Sequence, residues 1–133
     1  MSEENKIVYL AGDWLYTDQL QLTAAALEAA GYEITRKWWL KEERGRTSGK
    51  MHVYFQDIDE SEVFVLDLRG VPEDECRKHA GGHIGMGYAL AKGKPVLFLG
   101  QPASSLYSVC ATTTKGLLQA LATECGNESE ASR

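Results

Sequence analysis

The chain has 133 residues, 44% of them hydrophobic, enough for one compact domain with a core of its own. Its formal charge of −5 argues against a nucleic-acid partner, which needs a basic face, and no apolar run approaches the roughly 20 residues that cross a bilayer. The acidic, polar start reads as no signal peptide, and Cys76, Cys110 and Cys125, odd in number and widely spaced, read as reduced thiols of a cytoplasmic protein.

Residues 7–11 (IVYLA) form a β-branched and aromatic run closed by Gly12, the pattern of a buried strand. Thr17 is placed to cap a helix running to Ala30, with Leu20, Ala24, Leu27 and Ala30 on one face. Gly31 then stands where a helix end favours a left-handed residue. Residues 32–39 alternate loosely as a second strand, and residues 41–50 (KEERGRTSGK) read as a polar, mildly basic loop that either covers a site or only keeps the surface soluble. Residues 51–60 suit a short helix or turn. Residues 62–68 (EVFVLDL) are nearly continuous in apolar side chains, as expected of a strand buried on both faces.

A charged loop over residues 69–80 follows, then a helix over 83–92 and a fourth strand over 95–99. Residues 106–110 suit a short fifth strand, and 113–123 a closing helix. The segment 124–133 lacks apolar content and reads as a disordered tail, so the domain spans 1–123. Strands alternating with helices imply an α/β three-layer sandwich, a small parallel sheet of about five strands with helices on both faces. Ligands of such sheets bind beyond the carboxyl ends of the strands. Three segments should converge there: Gly12, Asp13 and Trp14; the run Asp67, Leu68, Arg69 and Gly70; and the turn holding Gly81, Gly82, His83, Gly85 and Met86. Glycines in that turn let backbone amides approach a phosphate or sugar oxygen, or else only make room for a helix on a strand.

Residues 86–96 (MGYALAKGKPV), with residues 7–18 (IVYLAGDWLYTD) and 62–67 (EVFVLD), make the chain resemble the nucleoside 2-deoxyribosyltransferases and their nucleotide N-glycosidase relatives. The resemblance covers roughly residues 6–100. It implies a flavodoxin-like domain that binds a nucleoside or nucleotide, with no cofactor, usually as a homo-oligomer. In that family a carboxylate attacks the anomeric carbon, and water or a second base resolves the glycosyl intermediate. The transition state is oxocarbenium-like, so an anionic oxygen must lie near the sugar carbon and a proton must reach the leaving base.

The position of the family's glutamate, two residues before the glycine of Gly-Tyr-Ala, is Gly85 here. The aspartate six residues earlier corresponds to His79, which can act as a general acid near neutral pH. Tyr9 matches the tyrosine beside the family's glutamate. A further family aspartate corresponds to Asp57, with Asp59 competing; both also suit solvated turns. Asp67, at the end of the third strand, is the best-placed replacement carboxylate, and a loop-amide acceptor role suits it equally. The run of residues 73–75 reads as a solvated loop.

Cys76, His79 and His83 suggest metal-ligand spacing, but Gly81 and Gly82 interrupt it, no second pair exists, and no metal is expected. Trp14 sits beside the expected site and can stack on a base; Trp38 and Trp39, on opposite faces if in a strand, would put one ring in the core. The functional expectation is a protein that binds a nucleoside or nucleotide and acts on its N-glycosidic bond, with Asp67, His79 and Tyr9 as catalytic candidates. The alternative is a non-catalytic sensor or sequestering protein on a disarmed scaffold.

Overall fold

The computed structural model describes residues 7–40, 42–43, 50–72, 80–100 and 111–112. Its strands are β1 (Ile7–Gly12), β2 (Glu33–Ile34), β3 (Val63–Asp67), β4 (Val96–Leu99) and β5 (Ala111–Thr112). The helices are α1 (Thr17–Ala29), α2 (Met51–Glu60) and α3 (Ala80–Ala91), and a 3-10 turn spans Trp14–Tyr16. The five strands form one parallel sheet in the order β2-β1-β3-β4-β5. Order reverses at β1 and β3, which places the switch point where Gly12 pairs with Asp67.

The sheet divides the interior in two. On one face Val8, Leu10, Val63, Val65, Leu97 and Leu99 pack with Leu20, Ala24 and Leu27 of α1 and with Trp39. On the other, Tyr9, Ala11, Phe64, Leu66, Val96 and Phe98 pack with Ile58 of α2 and Met86 and Ala89 of α3. Strict alternation along β1 and β3 sorts these residues, because successive strand side chains point to opposite faces. Every residue of β3 is buried, which explains the apolar run over residues 63–66 ahead of Asp67.

Several boundaries differ from the sequence expectation. The cap ahead of α1 belongs to the 3-10 turn, where the Asp13 carboxylate accepts from the Leu15 amide at 3.0 Å; Thr17 is already helical. Ala30 lies exposed at the end of α1, and Gly31 turns the chain with φ 98°. The second strand is two residues long, not eight. The Trp38 indole N–H donates to the Leu10 carbonyl at 2.7 Å, an acceptor on the same side of β1 as Val8 O, which takes the Thr35 amide. A side chain thus replaces the ladder that a longer β2 would have made. Trp38 and Trp39 do not take opposite faces: their rings meet edge to face at 5.5 Å in the α1-side core.

The larger correction is at the glycines. α3 begins at Ala80, so Gly81, Gly82, Gly85 and Gly87 lie within a helix and not in a turn. Glycine costs a helix about 1 kcal/mol relative to alanine, and packing explains two of these positions. A Cβ on Gly82 would stand 3.1 Å from Leu66 Cδ1, and one on Gly85 3.2 Å from Phe64 Cε2 and 3.4 Å from Ile58 Cδ1. α3 lies so close to β3 that a Cβ at either position would force its neighbour to give by a few tenths of an ångström. The fifth strand is at Ala111–Thr112; the expected stretch 106–110, the helix at 113–123 and the tail at 124–133 lie outside the described residues.

Candidate functional site

The carboxyl ends of β1 and β3 are built by two tight backbone devices. A Cβ on Gly12 would fall 2.7 Å from Leu20 Cδ2 and 2.8 Å from the Asp67 carbonyl, so only glycine brings β1 this close to α1 and β3. Asp13, itself buried, then reverses the chain: its carbonyl accepts the Tyr16 amide at 2.8 Å while its side chain takes Leu15 N. Leu15 is left largely exposed and Tyr16 half-buried at the head of α1. Trp14 starts this turn, and its indole lies outside the described residues.

Opposite, Asp67 ends β3 with its side chain fully buried. One oxygen accepts from the Arg69 amide at 3.1 Å and from Arg69 Nε at 2.9 Å. The other accepts from Arg69 Nη2 at 2.9 Å and lies 2.6 Å from Thr23 Oγ1. The Thr23 hydroxyl has one proton, and of its two acceptors, the Gln19 carbonyl and this carboxylate, the carboxylate is nearer and charged. Thr23 in turn accepts from Arg69 Nη2 at 2.9 Å. The guanidinium is therefore locked in a fork, and its hydrogen bonds to Asp67 push its pKa above the usual arginine range, so it stays charged.

Arg69 and Gly70 form one wall of an open cleft of about 330 Å³; residues 15–19 form the other. That volume is at the small end of ligand pockets, roughly 300–1,000 Å³. Leu15 and Tyr16 give the cleft an apolar side, Arg69 a cation and Asp18 an exposed carboxylate.

A second polar cluster lies on the other face of the sheet. Arg36 grips the buried Asp57 through Nε at 2.6 Å and Nη2 at 3.3 Å, and reaches Glu43 through Nη1 at 3.2 Å. Tyr9 is stacked on Phe64 at 5.3 Å, with planes 7° apart. Burial first, then the negative charge of Asp57 and the neighbouring Tyr54, push its phenol above the usual tyrosine range, with Arg36 opposing. Tyr9 is thus held neutral, a hydrogen-bond donor and not a base.

Of the residues picked out from sequence, Asp13 and Asp67 shape the two walls of the cleft at the switch point. Gly12 sits behind them, closed off by Leu20 and Asp67. Gly85 and Met86 are turned into the core against Phe64 and its neighbours, so neither faces a ligand. Gly81, Gly82 and His83 occupy the first turn of α3. Cys76, His79 and the run 73–75 lie outside the described residues. Asp57 is ion-paired rather than solvated, and Asp59 meets the Tyr88 hydroxyl at 2.9 Å. Arg69 entered only as part of the run expected to converge here, with no role of its own, and Thr23, Leu15 and Tyr16 were not singled out. The spacing Asp-x-Arg at a strand's end was the available signal for Arg69, since two residues suffice for the side chain to fold back on the carboxylate.

A doubly wound α/β domain with a small, partly cationic cleft at its switch point is the class that fold and site define. The fold is similar to that of the CMP N-glycosidase BcmB from Clostridium botulinum, with a TM-score of 0.53 and 22% sequence identity over 89% of this chain and 99% of that one. The likeness is one of fold. No family model matches the chain, and no curated protein matches it. Among the described residues no helix is long and apolar enough to cross a membrane.

Proposed function

We propose that the protein binds a nucleoside or nucleotide in the cleft between the β1–α1 turn and Arg69, and acts on the N-glycosidic bond of that ligand. The ligand class is carried by the two-sided chemistry of the cleft: Leu15 and Tyr16 offer an apolar surface, and Arg69 a fixed cation. A nucleotide has the matching halves, a flat base and a charged or hydroxylated sugar end. The bond acted on is inferred from the fold shared with a CMP N-glycosidase. In this reading Asp67 serves through Arg69 and not as a nucleophile, because both of its oxygens are already engaged. Tyr9, buried on the other face of the sheet, takes no part in this cleft. In this reading His79 protonates the leaving base, water bonds to the anomeric carbon and gives up its proton to solvent, and the protein works as a homo-oligomer without a cofactor.

The test is incubation with the common ribo- and deoxyribonucleosides and their 5′-monophosphates, with chromatography for free base. Base release from at least one substrate supports the reading. A second reading, binding without turnover, is favoured by Gly85, whose side-chain direction is filled by Phe64 and Ile58. Saturable binding in a calorimeter with no base released would select it. Neither binding nor release would remove both.

A further inference from the structure

The network behind Arg69 also fixes a second side chain of the cleft. The Thr23 hydroxyl gives its one proton to Asp67 and accepts from Arg69 Nη2 at 2.9 Å, which leaves one lone pair. Gln19, on the first turn of α1, fills it at 3.1 Å. Thr23 has no further proton to donate, so Gln19 must turn its amide nitrogen toward it and direct Oε1 away. Among the described residues Oε1 makes no hydrogen bond; it reaches solvent, and Gln19 lines the cleft. Arg69 completes the pattern. Its Nε and Nη2 are committed to Asp67 and Thr23, and among the described residues its Nη1 makes no hydrogen bond. The side chain remains 40% exposed, so this nitrogen is open to an incoming group. The cleft therefore offers one fixed acceptor and one charged donor, both anchored on a single oxygen of Thr23.

Hydroxyls on adjacent carbons match such a pair, one donating to Gln19 and the next accepting from Arg69. An ionised phosphate matches it poorly. It brings acceptors alone, and Gln19 Oε1 and the exposed Asp18 carboxylate would both meet it with negative charge. We infer that Gln19 is a specificity-determining residue: its Oε1 and Arg69 Nη1 together read the vicinal hydroxyls of the ligand's sugar, so that a sugar lacking either hydroxyl, or carrying the two in trans, is discriminated against. This rests on the nucleoside or nucleotide reading above and assigns what the same cleft reads in the sugar. Thr23 and Asp67 are positioning residues: they act through Gln19 and Arg69 and do not touch the ligand. Free ribose carries the same diol, so it is a separate arm of the test.

Calorimetric titration of the whole protein should compare adenosine, guanosine, cytidine and uridine with their 2′-deoxy, 3′-deoxy and arabino forms, and with free ribose. For at least one base the ribonucleoside should bind about fivefold or more tightly than each of its three analogues, the scale of one hydrogen bond at an open site. Gln19→Met has about the same helix propensity and no acceptor. It should bring at least one deoxy analogue level with the ribonucleoside while leaving that analogue's own affinity unchanged, whereas a merely structural role would weaken all ligands together. Thr23→Ser keeps the hydroxyl and should keep the discrimination; Thr23→Val frees the Gln19 amide to turn and should lower it. If no base reaches the fivefold ratio in the unaltered protein, the inference falls and the nucleotide reading stands. Full discrimination retained by Gln19→Met has the same consequence. Free ribose binding as tightly as any nucleoside retains the diol seat but removes the nucleotide reading. Failure of every compound to bind removes both.

Discussion

Replacing Gly85 and Gly87 separately with alanine isolates the contact that closes α3 onto β3. Both residues lie inside the same helix, so both gain the same propensity, about 1 kcal/mol. At Gly87 a new methyl meets nothing within 4 Å, so that gain should appear in full. At Gly85 the methyl arrives 3.2 Å from Phe64 Cε2 and 3.4 Å from Cζ of the same ring. Phe64 cannot retreat easily: it is fully buried, and Tyr9 is stacked on it at 5.3 Å. Overpacking of this kind costs ~1–3 kcal/mol, so the two variants should differ by that amount, with propensity cancelled between them. For a domain this size the difference in melting temperature is on the order of 4–12 °C, Gly87→Ala above wild type and Gly85→Ala at or below it. Thermal melts followed by circular dichroism measure it. Variants that melt within about 1 °C of each other would refute the close contact as the reason for glycine at 85. Gly85→Glu should be worse than Gly85→Ala, because it drives a carboxylate toward Phe64 and Ile58, where ionisation is strongly disfavoured.

Two further outcomes follow from the buried polar groups. Thr23→Val keeps the shape but removes the donor 2.6 Å from Asp67, and should cost about 1–3 kcal/mol in urea unfolding; no change in midpoint would mean the hydroxyl is dispensable to Asp67. Tyr9 has a folded-state pKa raised above its unfolded value near 10, so its contribution is intact below pH ~10 and is lost as pH rises further, when the unfolded chain ionises first. Melts between pH 8 and pH 11 should therefore fall more steeply for wild type than for Tyr9→Phe, and parallel curves would contradict the assignment.

The parts of the fold legible in the sequence are those fixed by local pattern. β1, β3 and β4 are short apolar runs because both faces are covered, and α1 is marked by Leu20, Ala24 and Leu27. What was not legible depends on partners distant in the chain. The glycines at the start of α3 read as a turn because the reason for them, the side chains of Leu66 and Phe64, lies on another element. β2 is cut short by an indole reaching Leu10, 28 residues away. Asp57 looked like a turn residue until Arg36, 21 positions earlier, closed on it. At the cleft, the sequence pointed to the ends of β1 and β3 and named Asp67, but it could not say that the carboxylate would be spent on orienting Arg69.

The sheet also separates two clusters of residues. Thr23, Asp67 and Arg69 are joined to the α1 side, whereas Gly85, Phe64 and Tyr9 belong to the opposite layer, with a wall of strand backbone between them. Substitutions that share no partner act independently. Position 85 can therefore be repacked without disturbing the cleft at Arg69, so the stability of the α3 layer and the shape of that cleft are separately adjustable.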